Sequence, residues 1–151
     1  MVGYGVFPAM SELAGGSLSD VIELRVPPKL EHQSVARAAI GVIAGGLSFN
    51  YDEIIQLRVA VSEAFEIMLR RVQRESPESS PSEVTIRFKV DADSVEVLIP
   101  AWPSIASYVA TEEDAESQAL LESLMDEIKL DGSDEGGPVV RMLKRREARG
   151  S

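Results

Sequence analysis

Leu57-Arg58-Val59-Ala60-Val61-Ser62-Glu63-Ala64-Phe65-Glu66-Ile67 lies in the most regular stretch of the chain and decides how the rest is read. Ile54, Leu57, Val61, Ala64, Met68 and Val72 recur at helical spacing and form one continuous apolar stripe, which predicts a long amphipathic helix. Asn50 stands where its N-cap belongs, with Glu53 three residues on to complete a capping box. The i,i+4 spacing puts Glu63 and Ile67 on one face, an acid beside a hydrocarbon.

Working back from that helix, Val35, Ala38, Ala39, Val42 and Ile43 recur at three- and four-residue spacing, and Gly45-Gly46 supplies a stop. Before it, Val21-Ile22-Glu23-Leu24-Arg25-Val26 is β-prone and is ended by Pro27-Pro28, as suits an edge strand. Residues 1–19 are rich in Gly and Ser, with Tyr4 and Phe7 as isolated anchors, and read as a flexible leader. His32 reads as a polar residue at a helix start.

Working forward, Ser76-Pro77-Glu78-Ser79-Ser80-Pro81 is a loop, after which Val84, Ile86, Phe88 and Val90 alternate with polar residues. Asp91-Ala92-Asp93 supplies a turn, and Val95, Val97 and Ile99 continue the alternation up to Pro100, so a hairpin is expected. Thr111 and Asp114 resemble a second capping box, and Leu120, Leu121, Leu124 and Ile128 give a helical stripe. Gly132 to Pro138 is a turn-rich link, Val139-Val140-Arg141-Met142-Leu143 a last strand, and Lys144 to Ser151 a basic, frayed end. The order strand, helix, helix, hairpin, helix, strand predicts a two-layer α/β sandwich, its mixed or antiparallel sheet covered on one face by helices. The domain is expected over residues 20–146, with 147–151 as a tail.

The 151 residues suit one domain, and a hydrophobic fraction of 44% provides material for a sizeable core. A net charge of −10, from 25 acids against 15 bases, argues against a nucleic-acid surface and towards protein or small-molecule partners. With no cysteine there are no disulfides or thiolate metal sites, and with one histidine a histidine-based zinc site is not expected. No apolar run approaches the ~20 residues that span a bilayer, and Met1 to Gly16 lacks the pattern of a secretion signal. The expectation is a soluble cytoplasmic protein without a membrane partner.

These segments resemble the anti-sigma-factor serine kinases, a bacterial branch of the histidine kinase-like (GHKL) ATPases that includes gyrase and the MutL repair ATPases. The resemblance runs from about Asp20 to Arg146. It is best at Val35-Ala36-Arg37-Ala38-Ala39, at Leu57 to Ala64, and at Ser123-Leu124-Met125-Asp126-Glu127-Ile128 leading to Gly136-Gly137 and Val140-Arg141-Met142-Leu143-Lys144. It implies the histidine kinase-like ATPase (Bergerat) fold. It also implies a helix motif, Glu-Ala-x-x-Asn, in which the glutamate acts as base and the asparagine binds magnesium. Glu63 keeps the first place and Ile67 takes the second, replacing an oxygen ligand with a hydrocarbon that a hard cation does not bind.

Two further family elements depart in the same direction. The Asp-x-Gly that reads adenine corresponds to Pro100, Ala101 and Trp102, and proline has no side-chain acceptor for the base. The Gly-x-Gly that lets backbone approach the phosphates corresponds to Ala115 and Ser117, and Glu112, Glu113, Asp114 and Glu116 crowd the same helix start. Trp102 is either a plug where adenine would lie or an exposed lid or interface residue. Ile67 suits core packing better than an apolar ligand site, and Met125 and Met142 read as core fillers. Arg70-Arg71, Arg74 and Lys144-Arg145-Arg146 are either basic helix and chain ends or contacts for an acidic partner.

The resemblance therefore implies a degenerate member, a pseudokinase with Glu63 as a vestigial base and no nucleotide or metal cofactor, that regulates transcription by partner switching. Its implied partners are a sigma factor and a STAS-type anti-anti-sigma protein, with homodimerisation usual in the family. The first helix is where such proteins engage sigma, which makes Arg37 the candidate contact. The first alternative is an active ATP-dependent serine kinase acting on the anti-anti-sigma protein. It would need other metal oxygens, and Glu66 lies about 100° round the helix from the vacated position. The second alternative is a small-molecule sensor using the altered pocket.

Overall fold

The computed structural model describes residues 19–102, 111–130 and 138–147. Outside these fall nearly all of the expected leader, the Gly132 to Gly137 part of the link, and residues 148–151. Along the chain come β1 (Asp20–Val26), a single 3-10 turn (Leu30–His32), α1 (Gln33–Gly45), α2 (Tyr51–Gln73), β2 (Val84–Val90), β3 (Ser94–Ile99), α3 (Glu112–Leu124), β4 (Glu127–Leu130) and β5 (Val140–Arg145). The five strands form one sheet in the order β1-β2-β3-β5-β4, every pairing antiparallel.

The period-two alternation of the hairpin is what makes this a two-layer molecule. Val84, Ile86, Phe88 and Val90 of β2 and Val95, Val97 and Ile99 of β3 are buried on one face. Register places Val140 and Met142 of β5 beside them, opposite Ile99 and Val97. The other face carries Glu23, Arg87, Glu96, Arg141, Arg145 and Glu127, joined in pairs across strands, and stays solvated. Against the apolar face packs α2, through Leu57, Ala60, Val61, Ala64, Phe65, Met68 and Val72. Expected edge-strand character holds for β1, which among the described strands pairs with β2 alone.

Both capping boxes form. The Asn50 side chain accepts from the Glu53 N–H at 2.8 Å and the Asn50 N–H donates back to Glu53 at 2.7 Å. At α3, Thr111 and Asp114 exchange the same pair of bonds at 3.1 and 3.0 Å.

Three expectations need correction. The buried face of α1 is Ala36, Ile40 and Ala44, whereas Val35 and Val42 are 43% and 78% exposed. This helix is apolar nearly all round, so spacing offered two faces, and the one with small residues approaches α2 closely. Ile128 does not extend the stripe of α3, because that helix ends at Leu124 and Met125 is extended. Ile128 and Leu130 instead alternate along β4, opposite Met142 and Val140 of β5. Finally, Lys144 and Arg145 belong to β5 rather than to a frayed end. The Lys144 ammonium, on a side chain turned under α3, donates to the Leu124 carbonyl at 2.7 Å, satisfying one of the helix's terminal acceptors.

Candidate functional site

Residues Glu63, Ile67 and Arg70 of α2 and Arg74, the residue that caps its C-terminus, stand at i, i+4, i+7 and i+11 and so form one row along the helix. This row faces the first two turns of α3. Ile67 is 2% exposed and belongs to the core cluster. Glu63 is half-buried, and its Oε2 accepts a hydrogen bond from the Ser117 hydroxyl at 2.6 Å. Ser117 in turn accepts from Nη2 of Arg70 at 2.8 Å.

Arg70 continues the chain of contacts to Asp114, with Nε and Nη2 at 3.3 and 3.2 Å from Oδ1. Arg74 reaches the other oxygen, Nη2 to Oδ2 at 3.3 Å. Asp114 is therefore a buried carboxylate, 3% exposed, between two guanidinium groups and at the start of its own helix. Burial alone would push its carboxyl up. The bonds from the Thr111 backbone, from Arg74, from the Thr111 side chain and from Arg70 outweigh burial and hold it below the ordinary carboxylate value.

The remaining predicted positions lie at two distances from this cluster. Pro100 follows β3 and is half-buried. Trp102 is 8% exposed within the core cluster, so it is not an exposed lid residue, and its Nε1 is buried without an acceptor. Ala115, on α3, faces solvent and joins nothing. Glu66 is turned the other way, accepting from the Gln33 amide of α1 at 3.0 Å. Arg37 sits in the α1–α2 seam, where Nη1 donates to the Ser62 hydroxyl at 3.2 Å. Among the described residues no group of three or more His, Asp or Glu is placed to hold a metal ion.

Sequence reasoning joins Glu63 to Ile67 and separately marks Ser117, but it reads Arg70 and Arg74 as surface cations and Asp114 as a cap. The one available signal is the row itself, which sets two arginines in phase with Glu63 and Ile67 on one side of the helix; their acidic partner, Asp114, is found only in the fold.

A two-layer sandwich whose long, capped helix turns Glu63 towards the start of a later helix is the architecture of a histidine kinase-like ATPase domain. No family model matches the chain. Curated proteins do. The chain is 30% identical over 142 residues to the serine-protein kinase RsbW of Bacillus subtilis, covering 83% of this chain and 86% of that protein. It is also 30% identical over 141 residues to RsbW of Listeria innocua, covering 82% and 87%. A shorter match, 35% identical over 80 residues, links it to RsbW of Oceanobacillus iheyensis across 53% of this chain and 49% of that one. The chain belongs to the RsbW family of serine-protein kinases.

Proposed function

We propose that this member of the family is a regulator that acts by binding proteins and has given up phosphoryl transfer. Its partners in this reading are a sigma factor, held away from RNA polymerase, and a STAS-type anti-anti-sigma protein that competes for the complex. Family membership supports the kind of partner. The observation that carries the loss of catalysis is the engagement of Glu63 by Ser117 at 2.6 Å beside an Ile67 that is 2% exposed. A general base must be within reach of the proton it takes, and this carboxylate is already bonded to a buried hydroxyl.

The residues present do not fit magnesium and ATP. Magnesium demands oxygen ligands, and a methyl-bearing side chain in the dry interior offers none. Pro100 brings no acceptor for an adenine amine. The exposed Glu112 and Glu113 bring negative charge to the helix start where a triphosphate would have to lie. Without such contacts phosphoryl transfer has no footing, and the Glu63–Ser117 bond serves instead as a structural tie between α2 and α3.

The test is a calorimetric titration of the folded protein with ATP and ADP, with and without magnesium. Absence of binding at millimolar nucleotide is the expected result. Tight magnesium-dependent binding would overturn the reading in favour of a second one, an active serine kinase acting on the anti-anti-sigma protein. That second reading is favoured by the retention of Glu63 and by the kinase name of the relatives. Glu63→Ala would then be the variant to assay.

A further inference from the structure

Two guanidinium groups from the end of α2 and the Thr111 N–H at the start of α3 converge on the Asp114 carboxylate. Arg70 directs Nε and Nη2 to Oδ1, while Arg74 Nη2 and the Thr111 N–H go to Oδ2. Arg70 Nη2 is shared with Ser117, whose hydroxyl proton is committed to Glu63. Nη1 of Arg74 is buried with no hydrogen-bond partner among the described residues. A buried guanidinium nitrogen without an acceptor is costly and unusual. The planar forks of two arginines match a tetrahedral oxyanion as well as a carboxylate, and such an anion brings further acceptor oxygens. With Nη1 of Arg74 left over, the two guanidinium groups and one helix-terminal N–H have more donor capacity than this carboxylate uses.

We propose that Asp114 is a built-in anion occupying a cradle for a tetrahedral oxyanion formed by Arg70, Arg74 and the start of α3. The chain carries its own occupant, so α3 docks on α2 without any ligand, and free phosphate-bearing molecules are shut out by a charge that cannot diffuse away. Covalent attachment makes the exclusion effective, since the carboxylate is present at a local concentration that a dissolved anion at millimolar levels does not reach. The inference deepens the proposed loss of nucleotide binding and rests on it.

The experiment removes the occupant and supplies inorganic phosphate. Asp114→Ala leaves Arg70, Arg74 and Ser117 in place with a space the size of a carboxylate between them. The variant is expected to bind phosphate saturably in a calorimetric titration, and to show a phosphate-dependent rise in its thermal midpoint on the order of a few degrees against chloride of equal ionic strength. The unaltered protein and the double variant Asp114→Ala/Arg70→Ala are expected to show neither. Should Asp114→Ala not fold in chloride, Asp114→Ser, which keeps a short acceptor near Thr111, is titrated with phosphate in its place, because phosphate stabilises folded proteins generally and its rescue of folding alone does not count as binding. A folded variant indifferent to phosphate would overturn the inference, as would an unaltered protein that binds phosphate as tightly as the variant. Failure here is separable from failure of the proposed function. Phosphate on the variant decides the cradle, whereas nucleotide on the unaltered protein decides the enzyme.

Discussion

In the proposed reading, Ile67 and Asp114 close a site in two ways, by hydrocarbon and by charge. Ile67→Asn exchanges a side chain that is 2% exposed for an amide with no partner provided. The expected loss is about 2–4 kcal/mol of stability, from lost apolar burial and an unsatisfied polar group. Urea denaturation checks it, and a loss below about 1 kcal/mol would mean that water reaches the amide. Asp114 predicts a pH dependence instead. Its folded pKa lies below the ordinary value of 3.8, so its ion pairs stabilise the protein at neutral pH, and that contribution is lost as pH falls through the depressed value. Asp114→Asn is therefore expected to be less stable than the parent above about pH 4, with the gap narrowing as the solution is acidified below it. Denaturation midpoints between pH ~2 and ~7, where carboxylates titrate, measure this. A gap that stays constant would refute the assignment. At this scale the sequence disclosed Glu63 and Ile67, because four residues of one helix fix their relation. It did not disclose the bond from Arg70 to Asp114, because those residues are 44 apart and no local rule joins them.

Helix pairing was legible where one stripe exists and ambiguous where two do. α2 has a charged side to oppose its apolar one, so spacing located its core face. α1 lacks that contrast, and the face chosen from spacing leaves Val42 at 78% exposure. β4 was missed because Ile128 falls in phase with Leu121 and Leu124, and a four-residue strand is too short to announce a period of its own. What fixes it is pairing with β5, together with the Asp126 N–H bonded to the Leu143 carbonyl at 2.9 Å. A prediction for α1 follows from Gly41, at the seam with α2. A Cβ added there would meet Cδ of Arg58 at 3.6 Å, an ordinary contact. Gly41→Ala is expected to stabilise the fold by about 0.5–1 kcal/mol, by reducing the freedom of the unfolded chain. Thermal denaturation decides it, and destabilisation would mean that the two helices come closer in solution than this contact allows.

Seen as a whole, the molecule separates its faces: a solvated sheet side with cross-strand ion pairs, and a helical side where any partner of the proposed kind would engage α1. Arg37 bonds Ser62 across the α1–α2 seam, so replacing it removes one partly buried hydrogen bond, worth about 0.5–1.5 kcal/mol. The fold should survive that. Arg37→Glu is accordingly expected to weaken capture of the sigma partner in a pull-down while leaving the circular dichroism spectrum intact, and undiminished capture would remove Arg37 from the interface. The architecture was legible from the sequence because alternation in the hairpin and the stripe of α2 are independent signals for the same two layers. The strand order was not, since nothing local says that β5 inserts between β3 and β4. That insertion has a consequence for synthesis. β1, β2, β3 and the two helices before the hairpin can find one another as soon as they leave the ribosome, but among the described strands β4 pairs only with β5, which is translated after it. Until Val140 to Arg145 emerge, β3 has β2 as its one partner among the described strands. The last strand supplies the second and gives α3 its Lys144 cap in one step.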